Sequence, residues 1–192
     1  MTPWPAYAKR QVFTLLFCLL VLVGRADTLT LTRTSVHQET QSLQTFLTGW
    51  EDTTGRAEAS DVLHHPALFR TLPLLRYHSP TSVYWLKTTL TNSAFLNREW
   101  ILRFRHLTYV DAFLYRRDSC IRQRRAGAFR PRSLVAEGDS RFHMALTLEP
   151  GETYTLLLKV HHTKHFQPVF DFTLQDEASF YQETRKQERL DA

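Results

Sequence analysis

Seven residues of this chain have side chains suited to gripping a polar or anionic ligand. They are Trp85, Lys87, Arg103, Arg105, Asp111, Phe113 and Tyr115. Each lies in a stretch where apolar residues recur every second position, the period of a β-strand. Alternation puts Tyr84, Leu86, Leu90, Trp100, Leu102, Phe104, Val110, Ala112 and Leu114 on one side, apolar throughout. The seven fall on the other side. An aromatic ring can stack on a sugar, and a forked guanidinium matches a carboxylate or a vicinal hydroxyl pair. Trp85, Arg103, Arg105, Asp111 and Tyr115 are therefore the expected ligand-binding residues. The competing reading is an ordinary solvated sheet face, with Arg103 or Arg105 paired to Asp111 across strands.

Other chemistry finds little support. Seven arginines lie between Arg116 and Arg132, a run that suits anionic surfaces or simply a solvated hairpin. Among nine histidines, His161, His162 and His165 come closest to metal spacing. They sit at a strand end before Pro168 with no glutamate between them, so no metal site is expected. There is no Gly-x-Ser-x-Gly elbow and no phosphate-cradling loop, and only six glycines from which to build one. Glycan hydrolysis needs two acids across a cleft; only Asp111 stands out on the candidate face. The sequence therefore predicts no catalytic residues and no cofactor.

The elements that must position these residues are strands. Expected strands are 28–35, 83–91, 98–107, 109–116, 121–129, 141–148, 153–161 and 168–174, with a second short element at 44–51. Asp52-Thr53-Thr54-Gly55 and Glu149-Pro150-Gly151-Glu152 mark turns, the latter of type II because glycine accepts positive φ. Ser60 is the expected N-cap of a short helix ending before Pro66. Phe69, Leu72, Leu74 and Leu75 are expected to plug one edge. Short strands with turn signals between them mean an all-β sandwich or barrel. Residues 176–192 turn polar and charged and read as an exit helix, with Glu183 spaced to meet Lys186 or Gln187.

The first 26 residues have the pattern of a secretory signal peptide. Lys9 and Arg10 precede an apolar run from Gln11 to Val23, and Gly24-Arg25-Ala26 ends it, so cleavage is expected between Ala26 and Asp27. The run is short of the ~20 residues that a bilayer core requires. Removing Lys9, Arg10 and Arg25, and no acid, takes the formal charge from +5 to +2. A nucleic-acid partner is therefore not expected. Cys120 would be the one cysteine left after cleavage, which excludes an intramolecular disulfide.

The ordered motifs carry a resemblance. Tyr84-Trp85-Leu86-Lys87 through Leu90-Thr91-Asn92, Glu99-Trp100-Ile101-Leu102, Val110-Asp111 to Leu114-Tyr115, Ala126-Gly127, Arg141-Phe142, Leu148 to Glu152 and Thr155 to Val160 follow one another. Trp50-Glu51-Asp52, Gly55 and Ser60-Asp61-Val62 precede them. Together they resemble region 2 of the extracellular sensor of bacterial seven-transmembrane receptors with diverse intracellular signalling modules (7TMR-DISM). The resemblance implies a jelly-roll-like antiparallel β-sandwich similar to carbohydrate-binding modules, in the periplasm. It implies a small or carbohydrate ligand, with membrane helices and a cytoplasmic output module as partners in the full-length architecture.

The expected organisation is a signal peptide (1–26), a sensor sandwich (27–175) and an exit segment (176–192) leading toward a membrane region that the given chain lacks. The expected function is periplasmic ligand sensing, by a fragment or natural truncation of a receptor. A free-standing secreted carbohydrate-binding module is the alternative.

Overall fold

The computed structural model describes residues 28–31, 40–71, 81–94, 99–163 and 168–190. The expected signal peptide, its cleavage site at Ala26 and Asp27, and Leu72, Leu74, Leu75 and His165 lie outside the described residues. Two sheets face each other. The larger contains β1 (Thr28–Leu31), β3 (Thr48–Asp52), β4 (Arg70–Thr71), β5 (Val83–Asn92), β7 (Tyr109–Arg116), β8 (Ser119–Ala126) and β10 (Thr153–His161). Its order is β4-β3-β5-β10-β7-β8, with β1 on the remaining length of β5. The smaller contains β2 (Gln41–Ser42), β6 (Glu99–Phe104), β9 (His143–Thr147) and β11 (Phe172–Asp176), in the order β2-β11-β6-β9. The fold is the expected all-β sandwich. Every pairing is antiparallel except β1 on β5, where Leu29 lies beside Leu90 in parallel register.

Alternation decides which side chains meet between the sheets. Tyr84, Leu86 and Leu90 of β5 join Val110, Ala112 and Leu114 of β7 and Leu156, Leu158 and Val160 of β10. Trp100, Leu102 and Phe104 of β6, with Leu174 of β11, face them from the other sheet. The apolar side read from the sequence is this core.

The chain crosses between sheets repeatedly: β5 is in the large sheet, β6 in the small, β7 in the large again. Two turns show how the crossings close. Gly151 has φ +78 and follows Pro150, and the Glu152 amide donates to the Glu149 carbonyl at 3.2 Å, the geometry of the expected type II turn. Gly127 has φ +123, and a Cβ there would lie 2.3 Å from the Thr108 carbonyl oxygen, so only glycine fits.

The first five arginines of the run lie on the β7–β8 hairpin, while Arg130 and Arg132 lie beyond it and Arg130 pairs with Asp111. β8 is the edge strand of the large sheet and is exposed over most of its length. Arg122 and Arg125 thus charge an edge that would otherwise invite pairing with another chain, while Arg124 turns in to Asp139 at 3.7 Å.

The described residues include two α-helices. α1 (Ala59–Leu63) starts two residues earlier than expected, with Glu58 rather than Ser60 in the N-cap position and no side-chain cap. The turn before it supplies the order instead. Asp52 accepts from the Thr54 amide at 2.9 Å, the Thr54 hydroxyl at 2.6 Å, the Gly55 amide at 3.0 Å and the Ala57 amide at 2.9 Å. Burial raises its carboxyl pKa, but those bonds outweigh burial and hold it below the usual value. α2 (Glu177–Leu190) follows β11 with no linker. Asp176, the last strand residue, accepts from the Ser179 amide at 3.0 Å and so caps the helix that it leads into.

Candidate functional site

The five expected ligand-binding residues do not share one surface. Alternation fixes the face of a strand, but not the sheet to which the strand belongs. β6 lies in the small sheet, so Arg103 points away from the sandwich on the side opposite to Trp85, Asp111 and Tyr115. The cross-strand pair of Arg103 or Arg105 with Asp111 is therefore absent, and Asp111 pairs with Arg130 instead.

Trp85 and Tyr115 are not surface residues. Trp85 is fully buried and Tyr115 nearly so. They form a second apolar cluster with Val83, Leu157 and the α1 residues Ala59, Val62 and Leu63. Lys159 lies with its ammonium 5.1 Å from the Trp85 ring, and Phe113 packs 6.1 Å from it. The aromatic face read from the sequence is thus the floor beneath α1. Lys87 is half-buried there, donates to the Leu63 carbonyl at 3.2 Å, and has its pKa lowered by burial.

Asp111 belongs to a polar cleft of about 410 Å³ at the end of this sheet, with Tyr109, Arg130, Lys159 and His161. Burial raises the Asp111 pKa, opposed by Arg130, Arg125 and Lys159. The Arg130 guanidinium lies 5.2 Å from the Tyr109 ring, and His161 stacks on that ring at 5.9 Å. Asp111 and Arg130 answer each other's charge, and the Tyr109 ring is in contact with the Arg130 guanidinium and the His161 imidazole.

The larger cleft, of about 690 Å³, lies on the outer face of the small sheet. Arg103 and Arg105 of the β6 strand and its end, His143 of β9 and Thr173 of β11 line its floor; Phe180 and Glu183 of α2 form its wall. Arg103 and His143 are register neighbours. Phe180 rests on both, with the guanidinium 5.5 Å and the imidazole 4.9 Å from its ring. Arg103 Nη1 donates to Gln175 Oε1 at 3.3 Å and to Glu183 Oε2 at 3.1 Å, while Gln175 Nε2 donates to the same Glu183 oxygen at 3.2 Å. Glu183 thus reaches back to the sheet and ties the helix to the strand. Burial lowers the His143 pKa, with the Gly138 carbonyl and Asp139 opposing and Arg103 and Arg132 reinforcing.

His143, Gln175 and Phe180 carry no local signal in the sequence. They become site residues only because α2 folds back over β6 and β11.

The profile of the family described as 7TMR-DISM extracellular 2 matches residues 44–176, more than half of the chain. The chain belongs to this family. A 7TMR-DISM extracellular 2 domain is an extracellular sensor region of receptors, as the motif order implied. Comparison with curated proteins gives no match. Among solved structures, a β-glucuronidase from Ruminococcus gnavus in complex with D-glucaro 1,5-lactone is similar over 69% of this chain and 23% of its own, at 11% identity and TM-score 0.42. Another Ruminococcus gnavus β-glucuronidase structure is similar over 69% and 22%, at 15% identity and TM-score 0.41. This chain spans less than a quarter of either enzyme's length. The matched 7TMR-DISM region runs from the residues before β3 to the last residue of β11, so the cleft floor lies inside it and α2 beyond it. Among the described residues, no helix is long and apolar enough to cross a membrane.

Proposed function

We propose that this chain is the periplasmic ligand-sensing part of a bacterial seven-transmembrane receptor, and that the ligand, a small molecule or carbohydrate, binds in the cleft between the small sheet and α2. One observation carries the reading: the cleft's floor is strand and its wall is α2, the helix that follows β11. A ligand there touches Arg103 and Arg105 on one side and the exit helix on the other. In the full receptor that helix would lead toward the first membrane span, and residues 1–26 would direct export. Signalling requires the ligand to bind two helix positions with different affinity, and a molecule in contact with the helix has the means to do so.

The test is a thermal-shift screen of sugars and small metabolites on the purified protein. Ligands that stabilise wild type should lose most of their shift in Arg103→Ala and Arg105→Ala. Arg122→Ala, on the exposed edge strand, should keep it. Equal shifts in all three variants would move the site elsewhere. Asp111→Ala tests the smaller cleft in the same screen.

A further inference from the structure

The chemistry of the large cleft also specifies the ligand's class, an inference that rests on the reading just given. Arg103 lies on β6 and Arg105 directly follows its last residue, Phe104, and both line the same cleft. A guanidinium offers five N–H donors in a fork that matches a carboxylate. Arg103 spends one nitrogen on Glu183, and Arg105 has no ion-pair partner among the described residues. Glu183 is therefore a carboxylate of the chain itself standing in a site built for one. The contact is weak by position: the two side chains are 34% and 58% exposed, so water screens the pair.

The rest of the lining is suited to hydroxyls. Asp171, one residue beyond the Phe172–Phe104 register pair, lines the cleft without an ion-pair partner among the described residues, and Thr173 and Ser140 add hydroxyls. Phe142 presents an exposed ring at the same cleft. We propose that the cleft takes a small hydroxylated carboxylic acid of the hexuronate kind, whose carboxylate replaces that of Glu183 on Arg103 and also engages Arg105. Binding then cuts the ties of Glu183 to Arg103 and Gln175, leaving the Phe180 contact as the pivot between α2 and the sheet. Ligand identity and helix release become one event: a neutral sugar has no group with which to displace Glu183.

Galacturonate and galactose differ only at C6, carboxylate against hydroxymethyl. Calorimetric titration of the full chain with each, at low ionic strength, tests the proposal. Galacturonate should bind at least about tenfold more tightly, and Arg103→Ala or Arg105→Ala should each weaken it by about tenfold or more, as expected for a charge-assisted hydrogen bond. Glu183→Gln removes the internal competitor and should strengthen binding about two- to fivefold. Galacturonate, and not galactose, should accelerate amide exchange in the second half of α2. Equal binding of the two sugars, sensitive to Arg103 but not to Glu183→Gln, would overturn the carboxylate exchange and leave the sensing cleft intact. Binding indifferent to both arginines would overturn both, and absence of binding to wild type and Glu183→Gln would overturn the proposed ligand class. Arg105 and Glu183 are exposed, so their variants decide the matter even if Arg103→Ala fails to fold.

Discussion

Trp85 shows how one residue's role turns on a neighbour that sequence periodicity does not reveal. It alternates outward on β5, like Lys87, and would offer a stacking platform if nothing covered it. α1 packs over it, and Lys159 and Phe113 cover the rest of the ring. Trp85→Ala should therefore behave as a core deletion, costing about 3–5 kcal/mol, read from the midpoint of urea unfolding. Its indole N–H is buried without a hydrogen-bond partner among the described residues, so Trp85→Phe should cost clearly less, because an unsatisfied donor leaves with the lost volume. Ligand binding at the large cleft should survive Trp85→Phe. The inward residues Tyr84, Leu86, Trp100 and Leu102 were legible because a strand's two faces follow from period two alone. The partner of Asp111 was not, because Arg130 lies beyond β8 in a loop whose path no local pattern encodes.

At the scale of elements, β7 and β10 begin and end where the sequence placed them, whereas β8 ends three residues before the expected end and β11 starts four residues after the expected start. Sheet membership did not follow. The crossing of β6 to the small sheet separates Arg103 from Asp111, and no side-chain period records it. The coupling of β11 to α2 is also non-local in effect, although Asp176 makes it with one local bond. Asp176→Ala should remove that cap and cost about 1 kcal/mol, within the ~0.5–2 kcal/mol range for N-caps. The loss should be concentrated in α2: hydrogen exchange should quicken over residues 177–183 while amides of β5 and β10 keep their protection. Uniform acceleration throughout the sandwich would mean that the helix and sheets open as one unit. Glu183 adds less to the helix's hold, about 0.2–1 kcal/mol for an exposed pair, so Phe180 on Arg103 and His143 is the stronger attachment.

For the whole molecule, the cleft makes stability depend on pH in a definite direction. His143 faces Arg103 from β6 and Phe180 from α2, with Ser140, Asp139 and the Gly138 carbonyl on its own side and Arg132 nearby. Burial chiefly, and then the two arginines, lower its pKa below the ordinary 6.5, against the opposing pull of Gly138 and Asp139. Below pH 6.5 the unfolded chain therefore binds this proton more readily than the folded domain does. Stability due to His143 falls as pH drops from that value toward the depressed one, and does not change further below it. Urea unfolding at pH 7.5 and 5.5 should show wild type losing more stability on acidification than His143→Gln does. An acid bound beside Arg103 should reverse part of this loss, since a carboxylate in the cleft favours the imidazolium. Galacturonate binding should then take up protons near pH 6, visible as a titration enthalpy that changes with the ionisation enthalpy of the buffer. No such buffer dependence in wild type, or the same dependence in His143→Gln, would place the bound carboxylate away from His143 and separate the pH response from the sensing cleft.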